Sequence, residues 1–161
     1  MKFSRIFSGL AVISLAFVLM ACPYSSSVPL SAASTAVPAN FIGTWEKEGS
    51  DGEQTEVVKK GDYEVEINQT STYDGTVTTY RGHFTKIGGN LFLNLKEETE
   101  YSSYYFYKVN MKGDFKFSLD EVTPYIRETF EDSDQMRKFF ESNMNNSYFY
   151  TTETSTYFKV K

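Results

Sequence analysis

Beyond residue 41, apolar and polar residues alternate with a period of two through much of the chain. Tyr63, Val65 and Ile67 alternate with Glu64, Glu66 and Asn68, and Leu91, Leu93 and Leu95 repeat the pattern, as do Phe115, Phe117 and Leu119. Successive strand residues point to opposite faces, so these runs predict antiparallel strands with one face buried and one wet. Turn chemistry separates them at Gly49-Ser50-Asp51-Gly52, Gly61-Asp62, Asp74-Gly75, Gly88-Gly89-Asn90 and Gly113-Asp114. The predicted strands are 42–48, 54–60, 63–69, 76–86, 91–98, 101–111, 114–119, 147–152 and 155–160. The period changes once: Met136, Phe139, Phe140 and Met144, spaced i, i+3, i+4, i+8, predict one short helix near 133–144, N-capped by Ser133. Short strands joined by tight turns read as an all-β domain. Its expected form is an antiparallel up-and-down meander, closing as a barrel or folding as a sandwich.

Aromatic content changes this picture. From Phe41 onward there are 23 Phe, Tyr and Trp residues, and they crowd particular strands. Where neighbours in a strand are both aromatic, both faces carry rings, so one set fills a core and the other meets solvent, a partner or a ligand. The tyrosines so placed form the candidate binding surface: Tyr101, Tyr104, Tyr105, Tyr107, Tyr148, Tyr150 and Tyr157. Cross-strand tyrosine ladders that merely stabilise a sheet are the simpler reading of the same residues. Phe84, Leu93, Tyr105, Phe117 and Phe158 are expected to point inward, where they either fill a barrel or leave a cavity.

The first 22 residues read as an address. Lys2 and Arg5 precede an uncharged, largely apolar run from Ile6 to Ala21, too short to span a bilayer comfortably and typical of a signal peptide. The run ends in Leu19-Met20-Ala21-Cys22, which resembles the lipobox of bacterial lipoproteins. That resemblance implies cleavage after Ala21 and acyl chains of the palmitate kind on Cys22. Two or more chains would give a stable membrane anchor. It also implies an outer-membrane location facing the periplasm in a two-membrane bacterium, because Pro23 is not the aspartate of an inner-membrane retention signal. Cys22 is the only cysteine, so it has no internal disulfide partner. Residues 22–40 are rich in Ser, Ala and Pro and carry no charge. They read as the acylated cysteine followed by a flexible tether, reaching roughly 20–25 Å as a random coil. The β domain is expected to span 41–161.

That domain opens with Phe41-Ile42-Gly43-Thr44-Trp45. Gly43 and Trp45 resemble the Gly-x-Trp signature of lipocalin-like barrels, in which the tryptophan packs across the closed end. The resemblance implies a calyx-like barrel and a carrier of small apolar ligands.

Charge and residue chemistry exclude more than they identify. Without residues 1–21 the chain holds 14 basic and 21 acidic residues, a net charge of −7, which argues against nucleic acid. His83 is the only histidine and is expected on the outer, exposed face beside Arg81. One histidine supplies neither a zinc site nor a Ser-His-Asp device with its nucleophile motif. The acidic groups Glu46/Glu48/Asp51/Glu53 and Glu97/Glu98/Glu100 are expected to be solvated loops. No catalytic residue, metal or cofactor is therefore expected. The leading expectation is a lipid-anchored, non-catalytic envelope protein acting as an accessory or interaction module, with another envelope protein as its candidate partner. The alternative is a lipocalin-type carrier with a small hydrophobic ligand in its barrel, which a filled barrel would eliminate.

Overall fold

A computed structural model describes residues 23–99 and 102–160. Its strands are β1 (Ser25–Ser26), β2 (Gly43–Lys47), β3 (Gln54–Lys59), β4 (Glu64–Thr70), β5 (Val77–Ile87), β6 (Asn90–Glu97), β7 (Tyr104–Met111), β8 (Lys116–Val122) and β9 (Tyr150–Lys159), with one helix, α1 (Ser133–Asn143). Strands β2 to β9 pair antiparallel. β2 joins both β3 and β9, and β7 joins β8, so the eight close into a barrel with β1 added beside β7. This is the up-and-down arrangement that the strand periodicity implies, closed as a lipocalin-like barrel rather than a sandwich, as the Gly43-x-Trp45 resemblance implies.

One end of the barrel is plugged. A 3-10 turn at Ala39–Phe41 sets Phe41 against Phe84 and Phe117, with ring centroids 5.1 and 4.8 Å apart. Trp45 lies edge-on to Phe117 at 4.6 Å, and its indole N–H donates to the Phe41 carbonyl at 3.0 Å. Gly43 joins that turn to β2 with φ 137°, a region that L side chains rarely adopt, which accounts for the glycine of Gly-x-Trp. Val57, Val65, Ile67, Leu93 and Val109 complete this inner cluster.

A second apolar cluster lies outside the barrel. α1 lays Met136, Phe140 and Met144 against Ile87, Phe92 and Phe106, which are outward residues of β5, β6 and β7. Phe140 meets Phe92, Phe106 and Phe149 at 5.5, 5.6 and 5.0 Å. The apolar face of the helix is the expected one, but its cap is Asp132 rather than Ser133. The Asp132 carboxylate accepts from the Gln135 N–H at 2.8 Å, the bond that an N-cap supplies to an open helix end. Gly88, in the β5–β6 turn at φ 53°, meets the end of the Met144 side chain, which a Cβ there would push aside, and its backbone conformation is one that L side chains rarely adopt.

Three further expectations are corrected. The first is the tether. From Tyr24 onward the segment is a strap laid across the outer wall. Ser25 and Ser26 pair with Tyr105 and Tyr104, on the part of the β7 edge that β8 does not reach. Leu30 is 1% exposed, Thr35 bridges Phe84, and the Val37 N–H donates to Asp62 O at 3.1 Å. Buried Tyr24 and Leu30 join the outer cluster and outweigh the spacer-like composition around them.

The second is His83, which is on the outer face as expected but covered by the strap and only 7% exposed. The third is the C-terminal pair of strands. Tyr150–Lys159 is one continuous strand preceded by a 3-10 turn at Ser147–Phe149, because nothing between Thr151 and Thr156 breaks a strand. Its inward ring is therefore Tyr157, stacked on Phe117 at 4.8 Å, while Phe158 turns outward beneath Lys116.

Candidate site in the barrel lumen

Above the plugged end, the side chains do not fill the barrel. A cavity of about 950 Å³ runs from Phe41 to the opposite end, where it opens. Its floor is apolar, formed by Phe41, Val57, Ile67, Leu93 and Phe117. Over the floor stands a belt of tyrosines: Tyr80 from β5, Tyr105 and Tyr107 from β7, and Tyr157 from β9. The charged lining residues are Lys47, Glu97, Glu121 and Glu153. Pro23, Pro124, Tyr125 and Tyr148 belong to the mouth, drawn from the start of the strap and the long β8–β9 connection.

The phenols influence one another across the lumen. Burial pushes the Tyr107 hydroxyl up, and Glu121, Tyr157, Tyr80 and Tyr105 push it further. Tyr157 is raised to about 12 by burial, then by Glu53 and Tyr80. Tyr80 is raised by burial, then by Glu97, Tyr105 and Glu53. These three phenols stay protonated at physiological pH and present O–H donors as well as ring faces. Burial also raises the Glu121 carboxyl, with Glu153 adding to the shift and Lys47 opposing it. Glu53 accepts a hydrogen bond from the Gln69 amide at the cavity wall.

Five of the seven sequence-predicted tyrosines, Tyr105, Tyr107, Tyr148, Tyr150 and Tyr157, line this cavity. They form an inner wall and its rim rather than an outer face. Tyr150 also ties the start of β9 to the end of α1, its hydroxyl donating to Met144 O at 2.9 Å. Tyr104 points outward into the α1 cluster, 6.0 Å from the His83 ring. Tyr101 and Cys22 lie outside the described residues. Glu97, expected in a solvated loop, faces the lumen instead. Sequence reasoning did not single out Tyr80, Gln69 or Glu121. The alternation along β5 does place Tyr80 inward with Phe84, but Tyr80 was not among the candidate tyrosines.

Histidine chemistry takes no part in the lumen. His83 is held on the outer wall, its Nε2–H donating to Ser31 O at 2.8 Å, and burial holds it below the usual imidazole range. Comparison with family models, curated proteins and solved structures gave no match to the chain.

Proposed function

We propose that this is a lipid-anchored, non-catalytic envelope protein that holds a small, largely apolar molecule inside its barrel. The hollow lumen carries the reading. A volume of about 950 Å³ with an apolar floor and a few polar groups above it has the size and make-up of a ligand site. The anchor is the acylated Cys22 implied by Leu19-Met20-Ala21-Cys22. Residue 22 precedes Pro23, which lines the mouth, so acyl chains there would begin beside the opening. An outer-membrane, periplasm-facing setting follows from the same lipobox reading.

Native mass spectrometry of the full-length protein, extracted gently from its own membrane, tests this. The expected result is a lipidated chain carrying a further species of a few hundred daltons, released by a Leu93→Trp variant that fills the floor. A chain that carries nothing and fails to bind an uncharged apolar fluorophore would overturn the carrier reading. A second reading, docking of another envelope protein, is favoured by the exposed rim residues Tyr73, Tyr125 and Tyr148. A bound protein subunit, lost on mutating those three, would support it.

A further inference from the structure

We propose that the lumen selects a cationic amphiphile, with its apolar body on the closed-end floor and an ammonium group among the tyrosine rings and glutamates nearer the mouth. This rests on the small-molecule reading above and names the chemistry of the molecule. The cavity itself makes the site; the charges decide what fits it.

The lining is graded. Apolar residues dominate the closed end, Leu95 and Leu119 continue among the phenols, Glu121 pairs with Tyr107, and Lys47, Glu97 and Glu153 stand toward the mouth. An occupant that matches the gradient is apolar at one end and polar or charged at the other. The sign of that charge follows from the lining, which sets three glutamates against one lysine. Glu97 comes from β6, Glu121 from β8 and Glu153 from β9, so the carboxylates approach the lumen from different strands. Among the described residues, none of the three lies within salt-bridge distance of a lysine or arginine; the ion pairs that do form involve Glu66, Glu98, Glu141 and Asp62.

An anionic amphiphile, such as a fatty acid, would bring a like charge into this field with Lys47 alone to receive it. A cation meets the opposite situation. The faces of Tyr80, Tyr105, Tyr107 and Tyr157 carry the negative side of the ring quadrupole, which attracts ammonium groups. The same carboxylates are not gathered for a metal. No three His, Cys, Asp or Glu among the described residues are close enough to hold one. Charge spread over several strands suits a bulky organic cation whose own charge is diffuse.

Three probes sharing a decyl chain test the proposal on the full-length protein, each below its micelle-forming concentration: decyltrimethylammonium, decyl sulfate and decyl glucoside. Each competes with an uncharged fluorophore bound in the lumen, while circular dichroism confirms that the barrel stays folded. The ammonium probe is expected to displace the fluorophore at about tenfold lower concentration than the sulfate, the scale set by partly exposed ion pairs and a cation–π contact. Added salt should narrow this ratio, and the Glu97→Gln/Glu121→Gln double variant should bring it close to one. Sulfate binding as tightly as ammonium, or an unchanged ratio in the double variant, would overturn the cationic assignment and leave the carrier reading standing. Displacement by none of the three would overturn the carrier reading itself.

Discussion

Both faces of the barrel wall bury apolar side chains completely, but the inner packing is confined to one end. Inside the strands, residues fill the closed end and then stop, leaving about 950 Å³ above Leu93 and Phe117. Outside them, α1 and the strap meet β5, β6 and β7 in a cluster where Phe92, Met136 and Phe140 have no exposed surface at all. An eight-stranded barrel is just wide enough for side chains to fill or for one small ligand to enter. Placing part of the stabilising burial on the outer wall lets the inner one stay partly hollow. On the proposed carrier reading, stability rests mainly on the outer cluster and the plugged end, and binding on the lumen. Substitutions on the two sides should therefore have separable effects.

The largest effect is expected at Phe140, which touches three other aromatic rings of the outer cluster. Phe140→Ala should cost about 3–5 kcal/mol, read as a lower urea midpoint. The fraction that remains folded should bind a lumen probe normally; loss of binding by folded protein would break the division. Next comes Asn94, which is fully buried between strap and barrel. Its side-chain oxygen accepts from Leu30 N–H at 2.7 Å, and its amide nitrogen donates to His83 O and Thr85 Oγ1. Asn94→Ala strands those groups at about 1–3 kcal/mol. Faster hydrogen exchange confined to residues 24–35 would show the strap opening before the barrel.

Acid should act on the same strap. Burial lowers the folded His83 value below its unfolded one, so the unfolded state takes up the proton more readily. The stability due to neutral His83 is present above the unfolded value of about 6.5 and is lost as pH falls below it. His83→Gln should flatten that part of the stability–pH curve. Inside the lumen, Tyr107→Phe removes a hydroxyl without altering the ring. Its stability should change by no more than about 1 kcal/mol, while the affinity for a hydrogen-bonding ligand falls. The smallest effect should have the opposite sign. Glu121 has a raised folded value, so its charged form is disfavoured by burial at neutral pH. Glu121→Gln should raise the melting temperature slightly near pH 7. The gain should disappear as pH falls through the raised value and the native carboxyl takes up its proton.

Much of the barrel was legible because a strand's periodicity repeats locally. Val65 and Ile67, Leu93 and Leu95, and Phe117 and Leu119 all line the inside as their alternation implies. The helix was legible for the same reason. What escaped were features fixed by partners distant in sequence. The strap has few apolar anchors, and Leu30 is held by Asn94, 64 residues away. Nothing in the local composition of either signals that contact, and the burial of His83 depends on it. In β9 the error was one of phase. Thr151 to Thr156 continue the strand without a turn, which gives Tyr157 the inward position and Phe158 the outward one. The tyrosines themselves were conspicuous, yet whether they framed a hollow or filled it depended on how far the floor residues reach across a closed barrel.

The strap also limits movement. Only Pro23, with its ring-restricted φ, separates residue 22 from Tyr24 and the β1–β7 ladder. With acyl chains on Cys22, the barrel would have about one residue of slack, roughly 3.8 Å between successive Cα atoms, instead of a long leash. Such an anchored domain would swivel little, and its opening would keep a nearly constant heading toward the headgroups beside it. A molecule leaving the lumen would then pass sideways into the same leaflet before reaching bulk water. Exchange would become a two-dimensional process governed by concentration in the membrane, while the plugged end faced the aqueous side.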